Sequence, residues 1–258
     1  MIDLSIVIVS FNARADLDRC LASLHDAPPA RAHEIIVVDN ASSDGSADAA
    51  RRWPRVQVID AGSNLGFAAG NNLGIRAGSG TNLLLLNSDT IVPPGAIDGL
   101  LAQFDRHPDV AVAGPRLVDA EGRAELSFGR MVRPLAQLKM HVARGDAETL
   151  ARGEQYPDWV SGACLLVRRA DAEAVGLLDQ RYFMYLEDVD FCAAVRARGR
   201  RILFTPEVTV THLRGRSAPS RAATRQVHHR SLLAFYEKHH PRWVPLLRLY
   251  LALRRADK

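Results

Sequence analysis

The sequence predicts an α/β fold, with a mostly parallel central sheet, helices on both of its faces and a helical extension at the C-terminal end. Three observations predict it. Leu4–Val9, Glu34–Asp39 and Leu83–Leu86 are short unbroken apolar runs, as expected of strands buried on both faces. The segments between them repeat apolar residues at helical spacing. Strands that alternate with helices in this way build parallel sheets, because each crossover lays a helix over the sheet.

Taken in order, Leu4–Val9 is the first strand. A helix follows over Arg14–His25, where Leu17, Cys20, Leu21 and Leu24 share a face and Pro28-Pro29 prevents continuation. Glu34–Asp39 is the second strand, Asp44–Arg52 a short helix and Val56–Asp60 the third strand. Gly66–Ala77 reads as a helix rich in small residues, and Leu83–Leu86 as a fourth strand ending in Asn87-Ser88-Asp89-Thr90. Pro93-Pro94 start a helix over Gly95–His107, and Val110–Gly114 is a further strand. Residues 119–158 are less regular, with a hairpin or loop and a short helix around Leu135–Arg144. Val160–Arg168 is expected as one strand and Glu187–Arg198 as a helix stopped by Gly199. Arg201–Thr205 and Val208–Thr211 are expected as two short strands, and after Arg221 the chain turns helical, broken at Pro241 and Pro245. No internal repeat or low-complexity linker divides the chain, so one domain over 1–221 and an extension over 222–258 are expected.

A chain of 258 residues that is 47% hydrophobic and 24% charged can bury a full core. Its net charge of +4, from 33 basic and 29 acidic residues, gives no ground for a nucleic-acid partner. From Arg196 onward basic residues dominate, which suits an anionic partner, either a diphosphate or a membrane surface. Cys20, Cys164 and Cys192 form no C-x-x-C pair, which argues against a disulfide framework or thiolate zinc site and fits a reducing cytosol. The first apolar run is strand-length with no basic leader, and no uncharged apolar stretch reaches the roughly 18 residues of a membrane span. A cytoplasmic protein is expected, peripheral at most on the inner face of the membrane.

Ligands of an open parallel sheet bind at the carboxyl ends of its strands. Here those ends read Ser10-Phe11-Asn12, Asp39-Asn40-Ala41-Ser42-Ser43-Asp44-Gly45 and Asn87-Ser88-Asp89. Asp39 suits an Asx-type turn or helix cap, or a carboxylate that accepts the N3–H of uracil or thymine. Gly62–Asn72 is Gly-rich but matches neither the Walker pattern nor G-x-G-x-x-G. Its small residues allow close helix packing, or approach of backbone to a nucleotide with Asn64 and Asn71 as polar contacts. Asp89 suits a turn before Pro93, or a ligand for Mg²⁺ or Mn²⁺ shared with a diphosphate. Glu187, Asp188 and Asp190 open a helix, where the macrodipole favours acids. Crowding of three carboxylates also raises a pKa toward that of a general base. His212 is either structural or the partner of Asp89 at a metal, and Arg214 and Arg216 beside it suit a diphosphate.

Together these segments resemble the family 2 glycosyltransferases of the Rossmann-like GT-A fold, and within them the rhamnosyltransferase-type enzymes of bacterial cell-surface polysaccharide assembly. The matching residues are I-V-S-F-N (8–12), V-V-D-N-A-S-S-D-G-S (37–46), N-L-G-F-A-A-G-N-N (64–72), L-L-L-N-S-D-T (84–90), W-V-S-G-A-C-L-L-V-R-R (159–169), F-M-Y-L-E-D-V-D-F-C (183–192) and T-H-L-R-G-R-S (211–217). Their order along the chain is the family's order. The resemblance implies an inverting, metal-dependent transfer of a sugar from a dTDP- or UDP-linked donor, dTDP-rhamnose first, to a hydroxyl of a glycan or lipid-linked acceptor. It implies that Ser10, Phe11 and Asp39 bind the base, with Asn64, Asn71 and Ser88 at the nucleotide. Asn87-Ser88-Asp89 then stands where the family has D-x-D, His212 is a second metal ligand and Asp188 is the base. Trp159, Gly162 and Glu187 line the sugar and acceptor pocket, and Arg214 and Arg216 the diphosphate. Asn87 departs from the family's first aspartate, leaving Asp89 as the charged ligand of that segment. Val244–Leu253 is amphipathic, which fits a packed or dimer-forming helix or docking on an anionic membrane. A nucleotidyltransferase would need a basic Gly-rich triphosphate loop, which residues 10–20 lack, and Asp89, Asp188 and His212 argue against an inactive sugar-nucleotide-binding module.

Overall fold

A computed structural model describes residues 1–132, 134, 147–213 and 221–256. Its order is β1 (Leu4–Ser10), α1 (Arg14–Asp26), β2 (His33–Asp39), α2 (Ser46–Ala50), β3 (Val56–Asp60), α3 (Gly66–Ala77), β4 (Asn82–Asn87), β5 (Thr90–Ile91), α4 (Ala96–Arg106) and β6 (Val110–Val118). There follow β7 (Phe128–Gly129), α5 (Ala147–Leu150), β8 (Trp159–Val160), β9 (Cys164–Arg168), α6 (Arg169–Ala174), α7 (Glu187–Ala197), β10 (Arg201–His212), α8 (Arg221–His239), a 3₁₀ turn (Pro241–Trp243) and α9 (Val244–Ala256). The short helix expected around Leu135–Arg144 lies outside the described residues.

The main sheet runs β3-β2-β1-β4-β9-β6-β10-β5. The β3-β2-β1-β4 block is parallel, as is β6 with β10, while β9 runs antiparallel between β4 and β6. Side chains alternate across each strand. Leu4, Ile6 and Ile8 of β1 and Leu84 and Leu86 of β4 join the core beneath α1 and α4. Val7, Leu83 and Leu85 enter the core on the other face, with Ala68 and Ile75 of α3 and Phe191, Cys192 and Val195 of α7. Both faces are therefore dry, which is why these strands read as unbroken apolar runs.

Besides β6, which runs on to Val118 where Gly114 was expected to end it, three boundaries differ from expectation. The single strand expected at Val160–Arg168 is two. Trp159–Val160 pairs with Phe128–Gly129 in a small second sheet, and Cys164–Arg168 joins the main one. Between them Ser161-Gly162-Ala163 turns, and its backbone bonds to groups outside the ladder. The two strands expected at 201–205 and 208–211 are one, β10, whose register shifts between Thr205 and Thr209. Pro206 supplies no N–H to the ladder there, so the strand bulges instead of ending. The helix expected from Asp44 starts later, at Ser46, because Asp44 is a clamp. Its Oδ1 accepts the Ser46 N–H at 3.0 Å and its Oδ2 the Arg14 N–H at 2.9 Å.

The small residues of α3 serve packing. A Cβ at Gly74 would lie 2.4 Å from Val7 Cγ1, and one at Gly70 2.9 Å from Val9 Cγ1, so the helix rides close over β1. At the other end, α8 and α9 pack Leu232, Phe235, Tyr236, Leu247 and Leu251 against Tyr182 and Val189 beside α7. Among the described residues no helix is long and apolar enough to cross a membrane.

Candidate active site

The parallel register brings three strand ends to one rim. Ser10 lies opposite Asp39, and Val9 opposite Asn87. Between β1 and β4 the strand order reverses direction, the point where such sheets bind ligands. The loops after β1 and β2 are stitched together. Asn12, at φ 49°, donates its N–H to Ser42 Oγ at 2.9 Å and accepts the Ser43 N–H at 2.8 Å.

Asp39 is buried and divides its work. Oδ2 accepts the Ser42 N–H at 2.9 Å, closing the Asx-type turn, while Oδ1 has no partner among the described residues. Ser10 Oγ and Asn40 Oδ1 beside it are likewise buried without partners. Three unsatisfied polar atoms at one strand rim are costly unless a ligand completes them. Phe11 is half-buried at the mouth. Asn64 is exposed and accepts the Gly66 N–H at 3.0 Å, an Asx-type bond just ahead of α3. Asn71 is buried within α3, donating to Phe67 O at 2.9 Å, with its Oδ1 unpartnered. Between the two readings of the Gly-rich stretch, close packing is what Gly70 and Gly74 do. Gly66 does more. At φ 79° its N-terminal position brings a hypothetical Cβ within 2.2 Å of Phe183 O, and the adjacent Phe67 N–H donates to that oxygen at 2.7 Å.

Past β4, Asp89 and His212 meet. His212 is paired with Thr90 at the end of β10, and its Nε2 lies 3.2 Å from Asp89 Oδ1 and 3.3 Å from Asn87 Nδ2. Its Nδ1 lies 3.1 Å from Glu125 Oε2. Glu125 was not signalled by the sequence: it is one of four glutamates in the irregular stretch 119–158, outside every motif. The three side chains are only 8–12% exposed. Burial by itself would lower the imidazole pKa, but hydrogen bonds to Asp89 and Glu125 raise it to about 9. The spot thus gathers negative charge and holds a proton tightly when no other cation is there. The Asp89 carboxylate and the His212 imidazole are donors that a divalent cation such as Mn²⁺ accepts, while Asn87 turns its amide nitrogen to the ring. Glu125 faces the far ring nitrogen, so the described residues contain no cluster of three His, Cys, Asp or Glu side chains that could hold a metal. Ser88, between Asn87 and Asp89 in the chain, is buried. Arg214 and Arg216 lie outside the described residues.

The acidic motif separates into three functions. Tyr185 and Leu186, at φ 72° and 68°, hold two successive left-handed turns before α7, a strained entry seldom kept without purpose. Asp190 is buried and structural. It bonds Lys238 Nζ at 2.8 Å, His239 Nε2 at 2.6 Å and the Tyr182 hydroxyl at 3.3 Å, clamping α8 to α7. Asp188 Oδ2 accepts the Gly162 N–H at 2.9 Å, and Oδ1 the Val189 N–H at 2.8 Å. Burial raises its pKa against the opposing pull of those N–H groups. Glu187 is buried with Oε2 unpartnered, and burial together with the Asp188 charge pushes its pKa well above the usual carboxylate range. One residue past Gly162, Ala163 O accepts the Asn87 N–H at 2.9 Å. A three-residue turn therefore ties the Asn87–Asp89 segment on one side to Asp188 on the other. Trp159 packs across Gly129 and donates its indole N–H to Arg130 O at 3.0 Å, bracing the small sheet that leads into this turn.

A GT-A scaffold with this rim defines a glycosyltransferase class of enzyme, and the comparisons with known proteins agree. Residues 5–175 match the glycosyl transferase family 2 profile. An N-acetylglucosaminyl-diphospho-decaprenol L-rhamnosyltransferase of Mycobacterium tuberculosis is 34% identical over 97% of this chain and 91% of its own length. Among solved structures, a mannosyltransferase of Pyrobaculum calidifontis in complex with GDP-Man and Mn²⁺ superposes with a TM-score of 0.65 at 18% identity, over 95% of this chain and 68% of that one. GalNAc-T7 with UDP, GalNAc and Mn²⁺ gives the same TM-score of 0.65 at 17% identity, over 86% of this chain and 45% of the other. The chain belongs to glycosyl transferase family 2, and is a rhamnosyltransferase-like glycosyltransferase.

Proposed function

We propose that this protein transfers a sugar, rhamnose from dTDP-rhamnose as first choice, to a hydroxyl of a lipid-linked glycan precursor, with inversion at the anomeric carbon. One observation supports the reading: the 161–163 turn is bonded to Asn87 through Ala163 and to Asp188 through Gly162, which ties the Asn87–Asp89 segment to Asp188. In this account Ser10 and Asp39, with unpartnered oxygens at the rim, receive the nucleotide base, and Phe11 flanks it. Asp39 Oδ1 accepts the imide N–H of thymine or uracil, a donor that cytosine lacks. Asp89 and His212 would hold Mg²⁺ or Mn²⁺, which supplies neutralisation of the charge gathering on the departing diphosphate. Asp188 accepts the acceptor hydroxyl proton as the oxygen attacks the anomeric carbon. A single base opposite the leaving group gives inversion. Glu187, whose burial favours the neutral carboxyl, faces an acceptor or sugar oxygen, with Gly162 and Trp159 shaping the wall. The acceptor of the Mycobacterium tuberculosis relative, N-acetylglucosaminyl-diphospho-decaprenol, supports the choice of acceptor class.

Residues 1–221 form the transferase domain in this reading, and 222–258 a helical extension that reaches the membrane surface. Leu247 and Leu251 of α9 are buried, while Leu246, Leu249 and Leu253 are 47%, 58% and 60% exposed on the opposite side. Residues 222–258 contain eight lysines and arginines against two acids. An exposed leucine stripe on a basic segment suits the interface of an anionic bilayer. The enzymatic reading is tested with a panel of nucleotide sugars, with and without Mn²⁺ or Mg²⁺. Turnover of a thymidine- or uridine-linked donor that stops on chelation is expected. Absence of cation dependence with every donor would remove the metal from the account.

A further inference from the structure

Glu125 is fixed from behind before it reaches His212. Its N–H donates to Leu117 O at 2.8 Å, extending the end of β6, and the preceding Ala124 bridges Val118 and donates its N–H to Glu148 Oε2 at 3.2 Å. His212 is held independently, by the pairing of β10 with β6 and with β5. Two separately anchored residues thus place carboxylate and imidazole 3.1 Å apart, with the Glu125 side chain 8% exposed.

We infer that Glu125 is a positioning residue for the candidate cation site, which fixes the His212 ring with a proton on Nδ1, so that Nε2 is the nitrogen that would exchange its proton for the cation. The chemistry is directional. A carboxylate only accepts, so the bond to Glu125 Oε2 requires a proton on Nδ1. A neutral imidazole has one ring proton, and only the other nitrogen can coordinate a metal. That other nitrogen is the one facing Asp89 and Asn87. The bond also fixes ring rotation, so Nε2 stays aimed at Asp89 when no cation is bound. Outer carboxylates of this kind also increase ligand basicity, and their loss typically weakens metal binding about 10–100-fold. The inference rests on the proposal that Asp89 and His212 hold the cation.

The test is Mn²⁺ affinity of the full chain, read by electron paramagnetic resonance of free Mn²⁺ with and without dTDP, alongside thermal melting of each variant. Glu125→Ala is expected to weaken Mn²⁺ binding about 10–100-fold. Glu125→Gln, whose amide oxygen still accepts the Nδ1 proton, should recover most of the loss. Because Glu125 acts through His212, Glu125→Ala should change affinity less than about threefold in a His212→Ala background. Equal losses in both backgrounds would overturn the inference, since Glu125 would then act on the cation directly. An Ala variant with wild-type affinity, while His212→Ala is impaired, would overturn it too. Should Asp89→Ala and His212→Ala both bind Mn²⁺ like the wild type, the cation site itself would be misplaced, a separate failure. If Glu125→Ala does not fold, Glu125→Asp, one methylene short of the ring, is expected to show the same weakening.

Discussion

Asp188 has two backbone N–H groups on its carboxylate before it meets any substrate, one from Gly162 and one from Val189. A base so anchored loses little orientation entropy when an acceptor arrives. Asp188→Asn keeps an oxygen for Gly162 but cannot take a proton. It is expected to lower kcat by roughly 10²–10⁴-fold, with dTDP or UDP affinity unchanged by calorimetry. Full transfer activity in that variant would remove Asp188 as the base. Glu187 gives a different prediction. Its folded pKa is raised by burial and the Asp188 charge. The folded state therefore holds the proton more tightly than the unfolded chain, and the stabilisation present below the unfolded pKa is lost as pH rises through the folded pKa. Glu187→Gln should then gain stability over the wild type at pH 8, by about 1 kcal/mol or ~2–4 °C in Tm, with the gain fading toward pH 4. Melting curves across that range check the sign; a constant difference would contradict it.

At the scale of elements, two joints hold the site in shape. Gly66 starts α3 at φ 79° beneath the Phe183 carbonyl. Gly66→Ala adds both a left-handed Cβ and a backbone collision, and should cost about 3 kcal/mol or more, read as a lower urea midpoint. Asp190 is the second joint. Removing its carboxylate leaves Lys238 with Asp179 alone and His239 unpaired from α7. Asp190→Ala should cost about 1–3 kcal/mol and raise hydrogen exchange in 221–239 ahead of the sheet. These joints also explain what the sequence could and could not convey. Strands β1, β2 and β4 are dry on both faces, so composition alone exposed them. The β8–β9 break was hidden because the turn at Gly162 is held by Asp188, far along the chain. That Asp190 is a clamp was hidden in sequence, since its partners Lys238 and His239 lie 48 and 49 residues further along the chain. Glu125 was invisible for the same reason: its partner is 87 residues away.

For the whole molecule, the Asp190 clamp and the apolar contacts of Tyr182 and Val189 join α7, which carries Glu187 and Asp188, to the basic helical tail. Sedimentation with vesicles containing anionic lipid should show binding that weakens several-fold in 0.5 M salt and in a Leu249→Glu, Leu253→Glu variant, with solution activity on a short soluble acceptor retained. Equal recovery with neutral and anionic vesicles would argue against the arginines as the attracting charge. The central claim is sugar transfer with inversion by a single base. The most direct measurement is ¹H NMR of the anomeric centre in the product formed from dTDP-rhamnose and a diphosphate-linked N-acetylglucosamine lipid. The account predicts a glycoside of configuration opposite to the donor, appearing without a covalent sugar–enzyme adduct. A product of retained configuration would contradict it.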